Sequence, residues 1–316
     1  MKYGFGIDLG GTTVKLAFFN EEGTMLNKWE IPTVLANHGA QILPDIAASI
    51  KAHLAKVGIA NEDILGVGIG VPGPVNHEGI VNMCVNLGWG VFDIQKELST
   101  LCGFPVKAGN DANVAALGEY WKGGGQGYQN MIFATLGTGV GGGIVQDGKL
   151  IHGTHGCGGE IGHMVINKHE NISRCGCGKY GCVEQYCSAT GVVRIAERTL
   201  AASDKPSVLR DTFPLTCKDV FDAGNAGDAL AMEILEQVYD YLGEFLANLC
   251  AVLDPEAVVL GGGVSKAGMP LLDGARRYFD KYAFHGTKGV RFELASLGND
   301  AGAYGAFKMA LDAYNQ

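Results

Sequence analysis

Residues 8–15 read Asp8-Leu9-Gly10-Gly11-Thr12-Thr13-Val14-Lys15, and residues 136–143 read Leu136-Gly137-Thr138-Gly139-Val140-Gly141-Gly142-Gly143. Each string joins one apolar run to another through a glycine turn. Residues 3–9 and 14–19 flank the first, and a turn at 20–23 leads into 24–31; residues 132–136 and 140–145 flank the second, with a turn at 146–148. Short apolar runs bounded by Gly, Asn and Asp predict strands. Alternating elements follow each set. After the first come helices over about 40–57, 92–101 and from 111 onward, with strands at 64–71 and 104–108. After the second come helices over about 228–253, 269–282 and 303–314, with strands at 257–260 and 290–295. A strand–turn–strand–turn–strand unit that occurs twice predicts internal duplication of a layered α/β unit. Two such lobes leave a crevice between them, a common place for a ligand.

The 316 residues are 47% hydrophobic and 18% charged, enough for a large core and too apolar for wholesale disorder. Glycine is the outlier: 49 residues, roughly 16% against an ordinary 7%. With no collagen period and only 9 prolines, these glycines serve backbone geometry. Lys and Arg total 24 against 33 Asp and Glu, a net charge of −9, which argues against nucleic acid as a partner. Asp8 stands where a signal peptide needs its apolar core, and the glycine-rich run 132–145 is too short to cross a bilayer. The expectation is a soluble, cytoplasmic chain that engages no membrane.

The first glycine turn is suited to a phosphate. Glycines let backbone approach an anion, Thr12, Thr13 and Lys15 add donors, and Asp8 at the strand end can hold a hydrated Mg²⁺. It is not a Walker loop, since G-x-x-x-x-G-K-[ST] is absent, nor a Rossmann turn, since a strand follows instead of a helix. A third cluster, Gly261-Gly262-Gly263, follows a strand and precedes a helix. Three such turns can surround one nucleotide, from phosphates to adenine. Asn110-Asp111 joins a strand to a helix. Both are favoured N-caps, and Asp111 is equally placed to accept a hydroxyl proton at the crevice; the sequence leaves both readings open. Gly70–Val75 is a turn whose backbone can touch a ligand, and Asn86 to Trp89 offers either a polar contact or a packed indole.

Five of the nine cysteines (Cys157, Cys175, Cys177, Cys182, Cys187) fall in one stretch, which in a reducing compartment favours metal over disulfides. Cys175-Gly176-Cys177-Gly178-Lys179-Tyr180-Gly181-Cys182 together with His163 matches a closed Cys₃His structural zinc site, with Cys157 and Cys187 as rival ligands. Such a site would pin Glu184 and orient His163. Glu160, Glu184 and Asp111 are acceptors suited to sugar hydroxyls. The other histidines, among them His155 and His169, read as surface or loop residues, and Cys84, Cys102, Cys217 and Cys250 as small buried hydrophobes.

These residues resemble the ROK family of sugar kinases and repressors across essentially the whole chain, most closely its bacterial glucokinase branch. The resemblance rests on residues 8–12, Gly70–Val75, Asn110-Asp111, 136–142, Glu160-Ile161-Gly162-His163, 175–184, Gly261–Gly263 and Leu297-Gly298-Asn299-Asp300-Ala301-Gly302. It implies a two-lobed actin/hexokinase-like (ribonuclease H-like) fold, with residues 1–112 and 303–316 in a small lobe and 113–302 in a large one. It implies ATP, Mg²⁺ and structural Zn²⁺ as cofactors, a sugar substrate, and a homodimer or homotetramer. Asp111 becomes the general base; Gly73, Asn110, Glu160, His163 and Glu184 bind the sugar. Gly10, Gly11, Thr12, Thr13 and Lys15 form the first phosphate loop with Asp8 on Mg²⁺, Thr138 and Gly139 the second, and Gly261–Gly263 adjoins adenosine. Zinc falls to His163, Cys175, Cys177 and Cys182. Glucose phosphorylated at its 6-hydroxyl is the expected reaction. The alternatives are another sugar (N-acetylglucosamine, N-acetylmannosamine, fructose or allose) or a sugar-sensing regulator, against which the absence of an N-terminal winged helix before Asp8 speaks.

Overall fold

The computed structural model describes residues 1–168 and 173–316, so His169 lies outside the described residues. In chain order the first half holds β1 (Tyr3–Leu9), β2 (Thr13–Asn20), β3 (Met25–Pro32), α1 (Ile42–Val57), β4 (Ile64–Val71), β5 (Ile80–Cys84), β6 (Trp89–Asp93), α2 (Ile94–Cys102), β7 (Val106–Asn110) and α3 (Asp111–Lys122). The second holds β8 (Met131–Leu136), β9 (Val140–Gln146), β10 (Lys149–Leu150), α4 (Glu184–Cys187), α5 (Ala189–Ala201), α6 (Cys217–Asn225), α7 (Ala229–Leu253), β11 (Ala257–Gly261), α8 (Met269–Tyr282), β12 (Arg291–Leu294) and α9 (Ala301–Tyr314).

The two five-stranded sheets have the same plan, β3-β2-β1-β4-β7 and β10-β9-β8-β11-β12. In each, the first three strands form an antiparallel meander and the last two join it in parallel. The expected duplication is therefore visible strand for strand. β4, flanked by parallel neighbours on both sides, is buried at every residue, which explains its unbroken apolar sequence. α1 buries Ile42, Leu43, Ile46, Ala47, Ile50 and Leu54 at helical spacing against the first sheet and stops at Gly58, whose φ of +68° a side chain would oppose. α7 is capped by Asp228, which accepts the Ala231 N–H at 2.9 Å, and lies in the core of the second lobe.

Two helices join the lobes. α3 packs Ala116 beside Met131, Phe133 and Val145 of the second sheet, while α9 lays Ala303, Phe307 and Ala310 against Ala17, Phe19 and Leu65 of the first. Where they cross, a Cβ on Gly305 would collide with the Val114 carbonyl, and one on Gly118 with the Ala301 carbonyl. Only glycine allows this backbone approach.

Two regions differ from expectation. Residues 80–93 form a two-stranded ribbon, β5-β6, rather than leading straight into a helix at 92; Asp93 caps α2 by accepting the Lys96 N–H at 2.9 Å. Met83, in the ribbon, has a φ of +67°, which breaks the alternation a strand would show. α5 and α6 are additional helices. Their signals are short-range caps: Ser188 accepts the Gly191 N–H, and Thr216 with Asp219 makes a capping box. Among the described residues, no helix is long and apolar enough to cross a membrane.

Candidate active site

Between the sheets lies a cleft of about 860 Å³. It is lined by the end of β1 (Asp8), the start of α3 (Asp111, Ala112), the turn 137–139, Glu184, and Gly262 and Gly263. These are the segments the sequence singled out.

The strand-to-helix junction at 110–111 divides two tasks between adjacent residues. Asn110 is the cap: its Oδ1 accepts the N–H groups of Ala112 (3.0 Å) and Asn113 (3.1 Å), and its amide donates to the Gly73 carbonyl at 3.2 Å. Asp111 is therefore freed from capping and faces the cleft, although its Oδ1 also accepts the Ala112 N–H at 2.8 Å. Burial raises its carboxyl from 3.8 to about 6; the Asp8 and Glu160 charges push the same way, and the Ala112 amide opposes them. Burial without a cationic partner is how a carboxylate becomes a base matched to neutral pH.

Asp8 and Lys15 face each other across the β1–β2 pair, with Nζ 3.5 Å from Oδ2. Burial raises the Asp8 carboxyl and the lysine partly offsets it. The tip beyond them is closed by the Gly10 N–H donating to the Thr13 carbonyl at 3.0 Å; Gly11 and Thr12 stand exposed at the lip, and Gly10 and Thr13 are partly covered. Opposite, Thr138 is exposed in a turn held by the Thr190 hydroxyl, which donates to the Thr138 carbonyl at 2.8 Å. Gly139 has no room for a side chain because the Glu184 carboxylate occupies it. Gly262, at φ +83°, brings the third turn onto the second: a Cβ there would lie 2.5 Å from the Leu136 carbonyl oxygen. Gly261 is buried beneath, against the Phe133 ring. A carboxylate, a lysine and close-set glycine backbone fit a hydrated Mg²⁺ and polyphosphate oxygens.

On the other flank, ligand atoms of His163, Cys175, Cys177 and Cys182 all lie within 4.8 Å of one another. Cys175 Sγ is 3.5 Å from His163 Nδ1, and Cys177 Sγ is 3.6 Å from Cys182 Sγ. Burial and the neighbouring thiols push Cys182 up to about 12, the electrostatic demand that a divalent cation would relieve. Donor type and spacing fit tetrahedral zinc. Neither rival belongs to the cluster: Cys157 is exposed beside the His155 carbonyl, and Cys187 is sealed in the core, where burial raises its thiol. His163 Nε2 lies 3.7 Å from Glu160 Oε2, a carboxylate placed to fix the ring once the other nitrogen is engaged. Glu184 opens α4 two residues after Cys182, its Oε2 accepting the Val140 N–H at 3.3 Å.

Sequence reading missed Glu119, Asn113 and Lys266. Glu119 and Lys266 line the cleft; Asn113 is buried, donates to the Gly158 carbonyl at 2.9 Å and leaves its own Oδ1 unpaired. The available signal was the stripe Ala112, Ala115, Glu119 at i, i+3, i+7, which puts two small residues and a carboxylate on one face of α3.

A family model described as the ROK family matches residues 4–313. A glucokinase from Halalkalibacterium halodurans is 44% identical over 95% of this chain and 92% of its own length. A glucokinase from Streptomyces coelicolor is 35% identical over 96% of each. Among solved structures, a ROK family glucokinase from Streptomyces griseus in complex with glucose and AMPPNP superposes with a TM-score of 0.77 at 33% identity, over 98% of this chain and 99% of that one.

Proposed function

The chain belongs to the ROK family, and from that membership we propose that it transfers the terminal phosphoryl group of ATP to the 6-hydroxyl of glucose. Its two-lobed α/β fold is of the actin/hexokinase-like kind. The observation that carries the reading is Asp111, a half-buried carboxylate raised to about 6 where the first turn of α3 meets the glycine turns at 137–139 and 262–263.

Phosphoryl transfer asks mainly for alignment and charge stabilisation. Asp111 orients the 6-hydroxyl and takes its proton as the oxygen attacks phosphorus. Glu160, His163, Glu184 and Asn110, with the Gly73 backbone, hold the remaining hydroxyls. Thr138 and Gly139, the turn Gly10, Gly11, Thr12, Thr13 with Lys15, and Gly261, Gly262 and Gly263 hold the nucleotide from phosphates to adenosine. Mg²⁺, which Asp8 would hold, supplies positive charge to the phosphoryl oxygens. Zinc, which His163, Cys175, Cys177 and Cys182 would hold, braces the loop carrying Glu184. Approach of the lobes excludes water, which would otherwise compete as acceptor.

The test is a panel of hexoses in a coupled ADP-release assay, with ATP and polyphosphate as alternative donors. Glucose with ATP should give the highest kcat/KM. A tenfold preference for N-acetylmannosamine or N-acetylglucosamine would reassign the substrate, and no turnover of any sugar would overturn the kinase reading. The same proposal takes residues 1–112 with 303–316 and residues 113–302 as the bodies that move, a cytoplasmic setting, and a homodimer or homotetramer; light scattering tests the last.

A further inference from the structure

Glu119 is fully buried, and it is the only buried acidic side chain among the described residues. Its Oε2 accepts the N–H groups of Gly124 at 2.9 Å and Ser296 at 3.0 Å, and its Oε1 accepts that of Leu297 at 2.9 Å. Three donors from two segments thus meet one carboxylate, a group that offers acceptors only. One segment closes α3; the other runs through a 3₁₀ turn, Gly298–Asp300, into α9. They lie backbone to backbone, since a Cβ on Gly124 would collide with the Leu294 carbonyl.

The second segment is a wall of the cleft: Ser296, Gly298, Asn299, Ala301 and Gly302 all line it. At its far end a Cβ on Gly302 would stand 2.8 Å from Asp8 Cγ, so the backbone there forms the seat of that carboxylate. Midway, Asp300 pairs with Lys28 of β3 at 2.8 Å, an exposed contact worth little by itself. The anchor of the segment is therefore Glu119.

We propose that Glu119 is a positioning residue for the phosphoryl donor: by holding the Ser296 and Leu297 amides it sets the wall of the nucleotide side and, through Gly302, the place of Asp8. It does not touch the sugar side. Glutamine at 119 would match the volume but turn an N–H toward at least one backbone N–H, leaving that donor without its partner. The proposal rests on reading this cleft as the donor site, and wild-type turnover of glucose with ATP tests that reading separately.

The experiment uses the full chain with zinc retained. Glu119→Gln should weaken Mg²⁺·AMP-PNP binding by calorimetry about tenfold. It should leave the glucose Kd within twofold, lower kcat, and speed hydrogen exchange at the Ser296 and Leu297 amides. Gly302→Ala, which keeps all three Glu119 bonds while crowding Asp8, should give the same nucleotide-selective loss. Unchanged AMP-PNP affinity in either folded variant overturns the proposal, as does equal weakening of AMP-PNP and glucose. If Glu119→Gln does not fold, Glu119→Asp, which keeps the charge but draws the carboxylate back from the three amides, decides the question by the same measurements.

Discussion

Cys175 Sγ lies 3.5 Å from Glu184 Oε1, so a member of the thiol cluster touches a carboxylate of the cleft directly. The other oxygen of Glu184 is held by the Val140 amide. Through Glu184 the Cys₃His cluster and the cleft share a contact, so a change at the sulfurs would reach the cleft.

Cys177→Ser should therefore lose zinc and glucose affinity together. Elemental analysis and calorimetry on the same preparation check it; full zinc occupancy in the variant refutes the ligand assignment. Chelation of the wild type should produce the same loss and loosen the 163–187 region, since metal binding and local folding are coupled.

Asp111→Asn should bind glucose almost normally while kcat falls about 10²-fold or more, because removing a positioned base costs that order. An equally active variant would move the base elsewhere.

The same substitution should raise stability at neutral pH. In the fold the Asp111 carboxyl sits near 6, against 3.8 when exposed. The folded state thus binds the proton more tightly, and stability falls as pH rises from 3.8 through about 6. Asparagine removes that penalty. Above pH 7 the variant should be more stable by about 1–3 kcal/mol, and the advantage should vanish below pH 4. Urea titrations at pH 4 and 7.5 read it directly.

For the wild-type enzyme, kcat/KM for glucose should halve near the Asp111 value of about 6 and drop tenfold for each further pH unit. A flat profile down to pH 5 would deny Asp111 the proton-accepting role.

Gly305→Leu should be among the most damaging substitutions in the chain. Its Cβ would meet the Val114 carbonyl, and neither helix backbone can yield without parting the lobes. A loss above about 3 kcal/mol, or no soluble protein, is expected. Wild-type stability would mean that the helices do not cross so closely.

Much of this was legible in one dimension. β1 follows from seven consecutive residues, the glycine turns announce themselves, and the 163–182 spacing marks a Cys₃His cluster, although only the fold sets Cys157 and Cys187 aside. Asp111 was legible as a candidate but not as the freed member of the pair, because its neighbour's capping bonds decide that. Glu119 was illegible, since it answers amides at 124, 296 and 297 that meet only in the folded chain. The β5-β6 ribbon escaped because Met83 interrupts the alternation by which strands are found.

The position of α9 has a bearing on biosynthesis. Phe19 and Leu65, made early by the ribosome, are covered by Phe307 and Ala310, translated about 240 to 290 residues later. Until those residues emerge, the nascent amino-terminal sheet carries a bare apolar face. A chaperone that screens aromatic surface should dwell on this protein throughout synthesis and let go only once the closing helix has docked.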